Sequence, residues 1–376
     1  MIQAPPMKNR QRILRVNKMN PAQVKIIHMR QLAGYRRSII GAPPLKNLFL
    51  ELTLRCNERC IHCGSRCGEH DRVNELSKEQ YRKILDDVKR DFGVKQVELD
   101  ITGGEPLLRR DFFDIMSYAN SLGFRWGMTS NATLINDDIA HRLHECGMKT
   151  ISVSIDGLES THDSLRGMNG AFSGAMRGID ALIRHGGFQS IQVTTVVNHR
   201  NFSELDELFD MLCKIDIDSW RVINIEPIGR ALDSPDLMLT KDEYRQMFDF
   251  IREKRLQGYP LTYGCSHYLG TEYERQVRQW YFLCNAGIYT ASIASNGDIL
   301  ACLDIERRPE LVQGNILRDS LKEIWQNKFK IFRGDLSDLN EKCRACDSCE
   351  FCHGGAHHSW DYDLNEQRVC FKDILF

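Results

Sequence analysis

From residue 47 to about 226 the chain alternates short apolar runs with longer amphipathic stretches, and this rhythm limits its fold more than any other feature of the 376 residues. Six runs read as strands: 48–52, 96–101, 125–129, 150–155, 190–197 and 220–225. Between them, residues 78–92, 111–122, 137–146, 173–185 and 202–215 carry the periodicity of helices buried on one face. Ser77 with Gln80 and Asn201 with Glu204 have capping-box spacing, while Gly93, Gly123, Gly147 and Gly186 fall where helices end. Successive strand–helix units demand a parallel sheet with right-handed crossovers. The expected fold is α/β, a partial (βα)6 TIM-like barrel, with its chemistry at the carboxyl ends of the strands.

Two motifs stand at those ends. Cys56, Cys60 and Cys63 follow the first strand in the run Cys-Asn-Glu-Arg-Cys-Ile-His-Cys. Three thiolates at CxxxCxxC spacing gather around one face of an iron–sulfur cube and leave the fourth iron open to a small molecule. The same spacing alone also suits zinc. Thr102-Gly103-Gly104-Glu105-Pro106 follows the second strand. The two motifs together, in this order, resemble the radical S-adenosylmethionine (SAM) superfamily. The resemblance implies a [4Fe-4S] cluster whose open iron holds the SAM amine and carboxylate, with the Gly103–Gly104–Glu105 backbone receiving the amine. It further places Ser154 and Asp156 near the SAM carboxylate and ribose, Arg166 against the carboxylate, and Ser130 and Asn131 near the ribose. His62 and Thr102 complete the expected cofactor contacts. Each of these residues taken singly suits a turn or a cap better than a ligand; their order at successive strand ends favours ligands.

Fourteen cysteines with no signal-like start favour metal or redox chemistry in the cytoplasm over disulfides. Cys284, Cys302, Cys343, Cys346, Cys352 and Cys370 resemble the SPASM extension, which implies one or two auxiliary iron–sulfur clusters. Carried over position by position, the second cluster keeps Cys343, Cys346, Cys352 and Cys370. The first keeps only Cys284 and Cys302, because Thr290 and Ala356 stand where the family pattern has cysteines. Cys265 and Cys349 are candidate replacements, and His353, His357 and His358 are candidates for a Rieske-like role. Cys67, Cys265 and Cys349 are candidate hydrogen donors, whereas Cys146 and Cys213 fall at apolar helical phases and read as core. The expected divisions are a basic arm (1–46), a radical SAM core (47–230), a bridge (231–275) and the auxiliary-cluster region (276–376). In the last, residues 288–302 read as a hairpin about Asn296-Gly297, and 319–332 as a helix.

The arm holds ten Lys or Arg and no acid before Glu51. A helix should begin with Asn20 as N-cap and Pro21 at the first position and end near Leu32, before Gly34. The arm reads either as a solvated face or as a docking surface for an acidic partner. A net charge of −1 argues against nucleic acid, and no apolar window is long enough to span a membrane. The resemblance implies an oxidoreductase that cleaves SAM to a 5′-deoxyadenosyl radical and takes hydrogen from a precursor peptide, forming a carbon–carbon or thioether cross-link. Its expected partners are that peptide, a separate leader-binding protein, and flavodoxin or ferredoxin as electron donor. The alternatives are tetrapyrrole-type decarboxylation, peptide epimerisation, and a non-enzymatic electron-transfer iron–sulfur protein.

Overall fold

The computed structural model describes residues 21–69, 74–264 and 267–376. Seven strands run parallel in chain order: β1 (Asn47–Glu51), β2 (Glu98–Thr102), β3 (Arg125–Ser130), β4 (Met148–Ser154), β5 (Ser190–Val197), β6 (Ser219–Asn224) and β7 (Leu261–Tyr263). The sheet stays open, as expected of a partial barrel. Its seventh strand is only three residues long and escapes a periodicity search. The crossover helices are α2 (Lys78–Asp91), α3 (Phe112–Leu122), α4 (Asp137–Glu145), α5 (Glu159–Arg166), α6 (Ala171–His185), α7 (Leu205–Leu212) and α8 (Lys241–Leu256). Leu48, Leu50, Leu99, Ile101, Trp126, Val153 and Val193 are buried in the core between sheet and helices. Ser77 and Gln80 form the capping box of α2. Asn201 does not cap. Its side chain holds Asn198 N and the carbonyl of Asp156, and α7 begins later, at Leu205, after a short 3-10 turn.

β1 is not the edge of the sheet. The expected hairpin forms as β8 (Thr290–Ile293) and β9 (Asp298–Leu300), and β8 pairs in parallel with β1, Leu48 opposite Ala291. β10 (Gly314–Asn315) extends β9, so ten strands form one sheet in the order β10-β9-β8-β1-β2-β3-β4-β5-β6-β7. The cysteine-rich region is thus hydrogen-bonded to the strand that carries the first motif. The following helix is interrupted: Leu321–Asn327 (α9) gives way to a turn at Phe329, whose φ is 61°, before a last turn at Lys330–Arg333.

The N-terminal helix α1 spans Pro21–Ile40, past the expected end near Leu32. Gly34 costs the helix about 1 kcal/mol, and tertiary packing offsets it. Met29 packs with Tyr268, Phe282 and Ala356. Arg36 pairs with Asp335 at 2.5 Å and donates to Gly334 O at 3.1 Å. Arg30 meets Glu350 at 3.2 Å, and Lys25 Nζ donates to Glu272 O. Three of the helix's cations therefore face this chain's own groups. Residues 1–20 of the basic arm, with the Asn20 cap, lie outside the described residues. Met29→Asp should bury an unpaired carboxylate at a cost of about 3 kcal/mol and undock α1 alone. Amide exchange should then rise in residues 21–40 while β1–β6 stay protected; uniform loss of protection would show that the helix is integral to the barrel core.

Candidate active site

The loop carrying Cys56, Cys60 and Cys63 is fixed from three sides. Gly104 N donates to Thr53 O at 2.8 Å and Glu105 N to Arg55 O at 2.9 Å, which zips the Gly-Gly-Glu-Pro segment onto the approach to Cys56. The contact tolerates no side chain: a Cβ on Gly104 would lie 2.1 Å from the Arg55 carbonyl oxygen, and Gly103 has φ +151°. Arg59 N and Ile61 N donate to Arg166 O and Leu165 O, docking the loop on the end of α5. Arg230 closes the third side, donating through Nε to Cys60 O at 2.7 Å and through its backbone N to Cys63 O.

Beneath the loop lies a buried charge network. Arg166 pairs with Asp156 at 2.5 Å and Glu58 at 3.3 Å, and His62 Nε2 stands 3.0 Å from Asp156. Burial works against the Asp156 carboxylate, but Arg166 and then His62 outweigh it and hold the group well below the usual carboxylate range. Glu58 moves the other way, raised by burial that Arg166 only partly counters. Glu105 is also fully buried. It accepts from Ser130 Oγ (2.9 Å), Asn131 N (3.0 Å) and Leu107 N (3.2 Å), yet burial pushes it up to about 7.

A cavity of about 220 Å³ opens beside the loop. Cys56, Cys60 and Cys63 line it, together with His62, Thr102, Gly103, Gly104, Ser130, Asn131, Ser154 and Arg166. Asp156 and Glu105 are not on its wall. Asp156 lies behind Arg166 and His62, and Glu105 lies behind Ser130 and Asn131. The Asn131 side chain is engaged by Asn57 and Thr133. Glu58, which sequence reasoning did not select, joins the wall with an unpartnered buried Oε1, and Arg166 Nε is likewise unpartnered. Burial pushes the Cys56 thiol up to about 11 and raises Cys60 too, whereas Cys63 is lowered, first by the Cys67 thiol hydrogen-bonded to it. Buried thiolates at Cys56 and Cys60 therefore call for a metal countercharge. Three thiols on one wall of a polar cavity fit an iron–sulfur cluster with an exchangeable ligand.

The tail gathers a second set. Cys343, Cys346, Cys349, Cys352 and Cys370 line one further cavity of about 50 Å³. Burial raises Cys352 and Cys343 as well, and Lys372 Nζ approaches Cys346 Sγ at 3.4 Å. Cys284 and Cys302 form a separate, half-buried pair, each thiol raised by burial.

Residues 50–212 match the radical SAM superfamily, and residues 284–350 match the SPASM iron–sulfur cluster-binding domain. The chain is a radical SAM enzyme with a SPASM domain. It is 29% identical over 340 residues to the AdoMet-dependent heme synthase of Methanosarcina barkeri, covering 85% of this chain and 94% of that protein. It is 29% identical over 313 residues to the mycofactocin maturase MftC of Mycobacterium tuberculosis, covering 81% and 76%. The structure of Streptococcus suis SuiB bound to S-adenosylmethionine has the same fold, with a TM-score of 0.69, 19% identity, and coverage of 88% and 77%. The radical SAM domain brings a SAM-binding [4Fe-4S] cluster and the SPASM domain auxiliary clusters. In this enzyme Cys56, Cys60 and Cys63 would hold the first, and the tail cysteines the others.

The remaining candidates sort by position. Cys67 is buried on the wall of the SAM-side cavity, its Sγ 3.5 Å from Gly103 O. Cys349 joins the four tail cysteines rather than the Cys284–Cys302 pair, and Cys265 lies outside the described residues. Cys213 is exposed at the end of α7, not in the core; Cys146 is buried. His353 pairs with Asp335 and His357 with Tyr362 OH, so both imidazoles are engaged. No helix among the described residues is long and apolar enough to cross a membrane. Arg166→Gln should leave Asp156 and Glu58 buried without their cation and cost about 3–5 kcal/mol. Denaturant stability and iron content should fall together; a drop in SAM affinity with stability intact would instead mark Arg166 as a ligand for the SAM carboxylate.

Proposed function

We propose that this radical SAM enzyme removes hydrogen from a residue of a ribosomally made precursor peptide and closes an oxidative cross-link, carbon–carbon or thioether. The observation that carries the reading is the placement of the tail cysteines. The SPASM region that carries them is joined to the barrel through β8, which pairs with the strand leading into the SAM-side cavity, so auxiliary-cluster cysteines and that cavity are parts of one fold. Cross-linking removes two protons and two electrons from the substrate: the 5′-deoxyadenosyl radical takes one hydrogen atom, an auxiliary cluster accepts the remaining electron, and the remaining proton leaves to a base or solvent. Kinship with a mycofactocin maturase supports a peptide substrate.

When bound, SAM on a reduced [4Fe-4S] cluster supplies one-electron cleavage of its own carbon–sulfur bond. The chain's residues do the rest. Cys56, Cys60 and Cys63 would hold the cluster. The Gly103–Gly104 backbone would admit close approach of the amine, and Ser154 and Thr102 on the cavity wall would offer hydroxyls to the ribose and carboxylate. Flavodoxin or ferredoxin would deliver the electron, and a separate leader-binding protein would present the peptide.

A second reading, decarboxylation of a tetrapyrrole side chain, is favoured by one observation: the match to the heme synthase extends over 94% of that protein, against 76% for the maturase. Anaerobically reconstituted enzyme with SAM and reductant should release 5′-deoxyadenosine, and the Cys56/Cys60/Cys63 triple Ala variant should release none. Offered the short peptide encoded nearest its gene and an iron tetrapyrrole in parallel, the enzyme should yield peptide lighter by two hydrogens. Loss of carbon dioxide from the tetrapyrrole, with the peptide unchanged, would establish the second reading.

A further inference from the structure

Where β6 meets the tail, three side chains converge that the SAM and cysteine sites do not use. Glu226 lies two residues beyond β6, His267 follows β7, and His358 sits in the tail turn His357–Ser359. His267 Nε2 lies 2.5 Å from Glu226 Oε1, His358 Nε2 lies 3.7 Å from the same oxygen, and the two Nε2 atoms are 3.3 Å apart. All three groups are largely buried.

As a purely structural cluster this arrangement is wasteful of hydrogen-bonding capacity. Only one proton fits between the two nitrogens, while Glu226 Oε2 is buried with no partner at all. As a ligand set it is coherent. Bonds of about 2.0–2.2 Å at tetrahedral or octahedral angles separate donors by roughly 2.8–3.6 Å, and the observed 2.5, 3.3 and 3.7 Å straddle that range. The donors are also held from behind. Asn224 Nδ2 donates to Glu226 Oε1 at 2.7 Å and is itself fixed by Tyr263 OH, and Arg278 donates to the carbonyl of His267.

We propose that Glu226, His267 and His358 form a mononuclear site for a divalent first-row transition ion, zinc or ferrous iron, separate from the thiolate-held clusters. Two imidazoles and one carboxylate suit both ions and leave coordination positions open for water or a substrate oxygen. The three ligands come from the sixth strand end, the seventh strand's loop and the tail. A bound ion therefore clamps the SPASM tail to the barrel, and through His267 it adjoins the cavity of the tail cysteines.

The test uses the cluster-loaded enzyme, isolated anaerobically, with zinc, iron and acid-labile sulfide quantified and Zn²⁺ or Fe²⁺ then titrated against a chromophoric chelator. The expected result is one zinc, or one iron in excess of sulfide, per chain, with zinc X-ray absorption showing nitrogen and oxygen neighbours and no sulfur. His358→Asn and Glu226→Gln should each weaken binding by at least about tenfold while sulfide content stays at the wild-type level. Absence of stoichiometric binding by either ion, sulfur in the zinc shell, or wild-type affinity in both variants would overturn the proposal. Should a variant lose sulfide as well, the wild-type absorption spectrum decides alone, since it reads the ligand set without any substitution.

Discussion

The end of α5 holds the active site in place. Leu165 and Arg166 offer their carbonyls to the backbone of the cysteine loop, while the Arg166 guanidinium reaches under it to Glu58 and Asp156. Glu58 belongs to the loop itself, and Asp156 follows β4. One side chain therefore ties the metal-binding loop to the fourth strand and to the helix after it. In so dry a setting a pair that keeps its partners fixes geometry, whereas a pair broken on one side leaves an uncompensated charge. A loop with three thiols has no core of its own, and this network replaces one.

The second constraint is the parallel pairing of β8 with β1. Strand β1 is therefore buried on both edges, by β2 and by β8, and its carboxyl end delivers the chain to Cys56. A one-residue slip of β8 along β1 would turn the buried side chains of β8 to the other face. Glu51 closes the joint: it accepts from Ser295 N and Oγ at 3.1 Å and pairs with Arg307, both from the SPASM side. Barrel and tail meet through backbone ladders and a buried carboxylate as well as through loop contacts.

Most of the barrel is legible in the sequence because its strands are continuous apolar runs and its helices have caps and one apolar face. The cysteines are legible because thiolate spacing is itself a coordination constraint. What escapes has a common physical origin in long-range pairing. β7 is three residues long and exists because β6 offers it an edge. Helix α1 runs through Gly34 because Met29 and Arg36 find partners near residues 268–282 and 334–335. Asn201 has the pattern of a cap but turns inward to Asp156 O. Arg166 reads as a free cation for a ligand, yet Glu58 lies 108 positions away and nothing local announces the pair.

The same reasoning bears on the altered first cysteine set. Ala356 is completely buried against Met29, Tyr268 and Phe282, so α1 covers the position that the family pattern gives to a thiol. Thr290, at the other such position, is paired with Asn47 in the register that joins β8 to β1. Here both positions serve packing and strand pairing. Cys284 and Cys302 remain as a half-buried pair whose thiols are raised, first by burial. The apolar cluster that seats the N-terminal helix thus includes the alanine standing where the resemblance implies a cysteine.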